Sequence, residues 1–250
     1  MPLADTRGAL VTGASRNIGR AVAIALAREG YGVACFGRDR AALDETVEII
    51  RNEGGTASVH VGDIVCEKTL ATYVDEATSI HGSIDVLINN AGIMQETLVA
   101  DTPPETFQHV LDVNVVSAYA LSRLAYPWLR KRGGTIVNMG SMFASVGVAS
   151  TSAYSASKAG LEGLTRALAA EWARDRIRVL IVAPGYVRTE ISAAVLQDPA
   201  MEKRLLSRIP LRRVAEPEEV GKFVAFLASD QASFATGEVY RLDGGQRMSI

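Results

Sequence analysis

Short apolar runs recur along the chain, and most are followed by a longer stretch whose apolar residues return every three or four positions. Segments 8–12, 32–36, 58–61, 84–89, 135–139, 178–183 and 239–242 read as seven strands. Segments 18–29, 40–53, 67–81, 103–129, 153–174 and 217–228 read as helices. Val86-Leu87-Ile88 and Val179-Leu180-Ile181-Val182 lack any polar alternation, so both faces of the sheet need a cover. Repeated strand–helix units with short turns predict an α/β architecture, a doubly wound parallel sheet of about seven strands with helices on both sides. No linker, repeat or low-complexity tract divides residues 1–250, which are expected to form one domain.

Composition narrows the picture without redirecting it. The chain is 48% hydrophobic, ample for a continuous core, and its formal charge of −2 with no basic cluster speaks against a nucleic-acid partner. Two cysteines, Cys35 and Cys66, lie in apolar stretches and are expected as buried free thiols of a reducing compartment. His60, His81 and His109 are scattered in the sequence without metal-ligand spacing, so no metal is expected. Residues 1–7 lack the apolar core of a signal peptide, and no apolar run approaches membrane-spanning length. A cytoplasmic protein is the expectation.

The first strand runs into Gly13-Ala14-Ser15-Arg16-Asn17-Ile18-Gly19 and then a helix. Gly13 permits the tight turn, Gly19 lets helix and strand approach, and the helix N-terminus offers N–H groups and positive dipole to a pyrophosphate. Asn17 stands where a middle glycine is usual, and asparagine tolerates positive φ. This is the dinucleotide-binding turn of a Rossmann-type fold. The second strand ends at Gly37, with no carboxylate there to grip a ribose 2′-hydroxyl, and Arg38 follows at once. A guanidinium suits a 2′-phosphate, and Arg16 could flank the same pocket. Asp39 is explained as the cap of the next helix. NADP(H) is therefore expected in preference to NAD(H), which stays possible.

Tyr154 and Lys158 are four apart at the start of a helix and so share one face. A cation about 4 Å from a phenol, at an effective dielectric of about 20, contributes roughly 4 kcal/mol, or about three pKa units. That would bring a tyrosine toward the working range of an acid–base catalyst. Ser141 follows the fifth strand, at the end of the sheet where such folds bind ligands, and could hold a substrate oxygen.

With these motifs in this order, the chain resembles the short-chain dehydrogenase/reductase family in its compact single-domain form, over nearly all of its length. The match comprises Thr12-Gly13 through Gly19, Asp63, Asn89-Asn90-Ala91-Gly92, Asn114, Ser141, Tyr154, Lys158, and Pro184-Gly185 with Thr189. The resemblance implies a catalytic tetrad of Asn114, Ser141, Tyr154 and Lys158, with Asn114 holding a proton-relay water. It implies Asp63 and Ile64 beside the adenine, Asn90, Ala91 and Gly92 under its ribose, Lys158 on the nicotinamide ribose, and Pro184, Gly185, Val187 and Thr189 around the carboxamide. A homodimer or homotetramer is implied as well, with residues 237–245 near an interface.

Residues 190–210 carry Ile191, Val195, Leu196, Met201, Leu205, Leu206 and Ile209, and are expected to form an apolar-lined lid over the substrate. Met94, Gln95, Met142, Phe143 and Tyr186 are the expected pocket residues beside Ser141 and Tyr154. Within the family the pattern resembles 3-oxoacyl-carrier-protein reductases most. A sugar or polyol dehydrogenase, and a noncatalytic dinucleotide-binding regulator, are the alternatives.

Overall fold

Seven strands lie in one parallel sheet in the order β3-β2-β1-β4-β5-β6-β7. They are β1 Gly8–Thr12, β2 Gly32–Gly37, β3 Thr56–Val61, β4 Val86–Asn89, β5 Gly134–Met139, β6 Ile177–Pro184 and β7 Val239–Leu242. The computed structural model describes residues 7–248, so the rest of the N-terminal segment read for a targeting signal lies outside the described residues. Successive side chains point to opposite faces, and here both faces are apolar. Ala9, Val11, Val33, Cys35, Val86 and Ile88 join one buried cluster, and Leu10, Ala34, Phe36 and Leu87 join the other. The first cluster is closed by α1 (Asn17–Arg28), α2 (Arg40–Asn52) and α9 (Pro217–Ala228). The second is closed by α3 (Glu67–His81), α5 (Ser117–Arg132) and α6 (Ser152–Trp172).

Three local readings change. Ile84 is 2% exposed yet precedes β4, so an apolar run overstates the strand by two residues. The single helix expected over 103–129 is α4 (Pro104–Leu111), a π turn over Asp112–Val116, and then α5. Such a turn inserts one residue without disturbing the apolar period much, which hides it from pattern reading. The segment expected as a lid is two short helices, α7 (Glu190–Gln197) and α8 (Pro199–Ser207), and Asp198 caps the second.

Folding also regroups residues the sequence kept apart. Cys35 is buried but Cys66 is exposed at the N-cap of α3, against the expectation of two buried thiols. Burial pushes the Cys35 thiol up to about 12. His60 and His81, far apart in sequence, meet through the Ser58 hydroxyl at 2.8 and 2.9 Å, and Glu76 sits 2.9 Å from the other nitrogen of His60. Burial holds His60 below the usual histidine range and takes His81 down to about 4. Ser58 and His60 of β3 and His81 at the end of α3 thus form one internally bonded group. No helix among the described residues is long and apolar enough to cross a membrane.

Candidate active site

The strand order reverses between β1 and β4, and a crevice opens there at the carboxyl ends. Thr12, 1% exposed, closes its floor: its hydroxyl donates to the Ile88 carbonyl and accepts from the amides of Asn90 and Ala91. The Asn90 side-chain amide donates in return to the carbonyls of Thr12 and Gly13. Gly13 has φ of +66°, and a Cβ on Gly19 would stand 2.0 Å from the Gly13 carbonyl oxygen, so neither position admits a side chain. Asn17 has φ of 51°. The turn survives the missing glycine because asparagine occupies the left-handed region the sequence reading required.

The residues present fit a dinucleotide. The first turn of α1 carries no acidic side chain, and its N-cap, Arg16, makes no side-chain capping bond, so the helix end is open to an anion. Ser15 and Ile18 flank it, and the Ser15 carbonyl accepts from Arg20. Arg16 reaches across to Glu190 at 3.1 Å. Arg38 is exposed past the end of β2 and has no side-chain partner among the described residues, while Asp39 is spent capping α2 through the Ala42 amide. Past β3, Asp63 is exposed and accepts from the Val65 amide, and Ile64 is buried. A Cβ on Gly92 would lie 3.2 Å from Asn114 Oδ1 and 3.4 Å from Lys158 Nζ, so that glycine keeps a gap between them.

Beyond Gly92, α6 brings Tyr154 and Lys158 together with Ser141, which follows β5. Lys158 is 4% exposed and its ammonium donates to the Met139 carbonyl at 2.7 Å. Burial lowers its pKa to about 8. The ammonium sits 5.5 Å from the Tyr154 ring centroid. The expectation that Lys158 dominates the phenol is not met in the protein alone: burial raises the Tyr154 pKa, and the hydrogen bond with Ser141 acts the other way. Ser141 also accepts from the Phe143 amide at 3.2 Å. Asn114, inside the π turn, accepts from the Ile93 amide and donates to the Ile93 carbonyl and to Ser157 Oγ. Ser157 in turn donates to the Tyr154 carbonyl. The π turn thereby ties the Ile93 segment to α6 beside the Tyr–Lys pair.

These residues border a cleft of about 720 Å³ including its open mouth. Ser141, Tyr154, Met94, Met142, Phe143 and Tyr186 line it, as do Pro184, Gly185, Val187 and Thr189 from the segment after β6, and Ile191 and Val195 from α7. Phe143 meets both Tyr154 and Tyr186 edge-on, with ring centroids 6.1 and 6.3 Å away. Gln95 is the one expected pocket residue that does not line the cleft; it is exposed, and its amide donates to Thr97. Glu96 lines it instead, and the sequence reading missed it. No local signal decided it, because the segment after β4 has no regular structure and so no period to read. Thr189 caps α7 in a reciprocal bond with Ser192, whose hydroxyl also donates to the Val187 carbonyl.

Comparison with known proteins agrees with this arrangement. Residues 13–247 match the family model described as enoyl-(acyl carrier protein) reductase. A 3-oxoacyl-(acyl-carrier-protein) reductase of Staphylococcus aureus is 36% identical over 245 residues, covering 97% of this chain and 99% of the relative. A 3α-hydroxysteroid dehydrogenase of Mediterraneibacter gnavus is 37% identical over 96% of each chain. The crystal structure of a gluconate 5-dehydrogenase from Burkholderia cenocepacia, in complex with NADP and tartrate, superimposes with a TM-score of 0.92 at 30% identity, covering 98% of this chain and 97% of that one. A parallel seven-stranded sheet, a dinucleotide crevice at its switch point and full-length relatives of this kind lead to one conclusion: the chain belongs to the short-chain dehydrogenase/reductase family of oxidoreductases acting on hydroxyl and carbonyl groups.

Proposed function

We propose that the protein is an NADP(H)-dependent ketone reductase whose substrate is a 3-oxoacyl thioester, with Tyr154 as the group that gives a proton to the carbonyl oxygen. The observation that carries this reading is that Ser141 and Tyr154 together line an apolar cleft adjoining the glycine turn, with buried Lys158 one turn along the same helix as Tyr154. A reduced nicotinamide, held by the glycine turn, Lys158 and the 184–189 segment, supplies the hydride. Ser141 and Tyr154 hold the carbonyl oxygen and stabilise the charge that develops on it. Lys158 holds the nicotinamide ribose, and its ammonium, anchored on the Met139 carbonyl, stands beside the Tyr154 ring. Asn114 holds the Gly92 segment open beside Lys158, where a relay water returns the proton.

Arg38, exposed and unpaired among the described residues, supports NADP(H), because Asp39 is already spent on α2. Exposed small residues along α6 (Ala156, Ala159, Gly160, Gly163) beside exposed Tyr119 on α5 support a homodimer or homotetramer. We place the enzyme in the cytoplasm. A neutral sugar or polyol dehydrogenase is the second reading, favoured by the Glu96 carboxylate and Tyr186 phenol in the cleft, which suit substrate hydroxyls.

The test follows reduced-nicotinamide absorbance with 3-oxoacyl thioesters, ketoses and diketones. NADPH is expected to exceed NADH in kcat/KM. Tyr154→Phe is expected to lower kcat by at least about a thousandfold while cofactor binding persists. Turnover by that variant near the wild-type rate would overturn the assignment, and cofactor binding without turnover of any carbonyl would favour a regulator.

A further inference from the structure

The wall of the cleft is apolar, and most of its polar groups are already engaged. Ser141 accepts from the Phe143 amide and is assigned with Tyr154 to the carbonyl oxygen, and Thr189 and Ser192 bond each other across the start of α7. Two remain. Glu96 and Tyr186 both line the cleft, and neither side chain has a hydrogen-bond partner among the described residues. They stand close enough for the Glu96 charge to reinforce the effect of burial, which raises the Tyr186 pKa, and Arg208 opposes it more weakly. Arg208 does not line the cleft, so among the described residues Glu96 is the only formal charge on its wall.

Tyr186, like Tyr154, packs edge-on against Phe143 in the same cleft. A ligand whose carbonyl meets Ser141 and Tyr154 therefore shares the cleft with Tyr186 and Glu96. An ionised carboxylate only accepts hydrogen bonds. It favours a hydroxyl or amide N–H and repels another anion.

We propose that Glu96 determines specificity in this cleft: it selects ketones carrying a neutral hydrogen-bond donor beside it, and turns away ketones carrying a carboxylate or phosphate. The inference rests on the reading of Ser141 and Tyr154 as the groups at the carbonyl. It deepens that reading by naming the ligand class. A thioester on an amide-containing arm belongs to the selected class, as does a neutral polyol. An aldonate or a free oxo acid whose charge would lie against Glu96 does not.

Three acetoacetyl thioesters with one reacting carbonyl test it. One is built on N-acetylcysteamine, which ends in an amide N–H; one on 3-mercaptopropionate, which ends in a carboxylate; one on propanethiol, which offers neither. The readout is the ratio of kcat/KM between the first two within each protein, so a change in the amount of folded enzyme cancels. Wild type is expected to favour the amide by about tenfold or more, mainly through KM, and added salt should shrink the ratio because Glu96 is exposed. Glu96→Gln should bring the ratio to within about threefold, and Glu96→Asp should keep most of it. A ratio that Glu96→Gln leaves unchanged, or a wild-type preference for the carboxylate, overturns the proposal while turnover of the propyl thioester keeps the reaction assignment standing. No turnover of any of the three overturns both.

Discussion

The two sides of the cleft are built from different materials. On the cofactor side, main-chain groups and short polar side chains meet at fixed distances: Thr12, Gly13, Gly19 and Asn90 close on one another with no room for a methyl group. On the substrate side, Ile191 and Val195 of α7 reach the cleft from a helix whose outer surface is open, and Ile191 is 64% exposed. A wall made of backbone has few ways to change without breaking, whereas a wall made of flexible apolar side chains can repack at small cost. The difference explains how one scaffold keeps one cofactor class while relatives with its shape act on acyl, steroid and sugar-acid substrates.

The sharpest way to break the comparison is on the rigid side. Gly19→Ala puts a methyl group 2.0 Å from the Gly13 carbonyl and 2.5 Å from the Asn90 amide, and both must shift. We expect a loss of about 3 kcal/mol in denaturant unfolding, together with loss of dinucleotide binding in calorimetry. Lys158 lies between the two sides and gives a pH-dependent result. Its folded pKa is lowered to about 8 from 10.5, so between those values the unfolded chain holds more protons and wild-type stability rises with pH. Lys158→Met should therefore abolish turnover yet raise stability by about 3 kcal/mol below pH ~8. That gain should fade as pH climbs toward 10.5, and a gain independent of pH would show that Lys158 carries no buried charge. The smallest effect belongs to the soft side: Ile191→Ala should change unfolding free energy by less than about 0.5 kcal/mol while shifting KM severalfold for a long acyl substrate.

The same contrast governs what the sequence made legible. The parallel sheet, the glycine turn and the tolerance of Asn17 for positive φ follow from residue type alone, because backbone geometry restricts which residues serve there. The π turn around Asn114 escaped because one inserted residue leaves the apolar rhythm intact. Gln95 was chosen over Glu96 because an irregular segment offers no periodicity strong enough to decide which neighbour faces inward. The Ser58 link between His60 and His81 was invisible for another reason: it spans a strand and the end of the following helix, and no local pattern records a contact across tertiary space. Cys66 looked buried by its apolar neighbours, but the N-cap of α3 places it at the surface.

The Thr12–Asn90 clasp has a kinetic meaning. Five hydrogen bonds, from the Thr12 hydroxyl to Ile88, from the amides of Asn90 and Ala91 to that hydroxyl, and from the Asn90 side chain to Thr12 and Gly13, stitch β1 to β4 where the sheet divides. An enzyme stitched along its spine does not open like a book. The short helix α7, which lines the cleft and has an open outer surface, can shift without disturbing those bonds, so the traffic of ligands is tunable there without touching the scaffold.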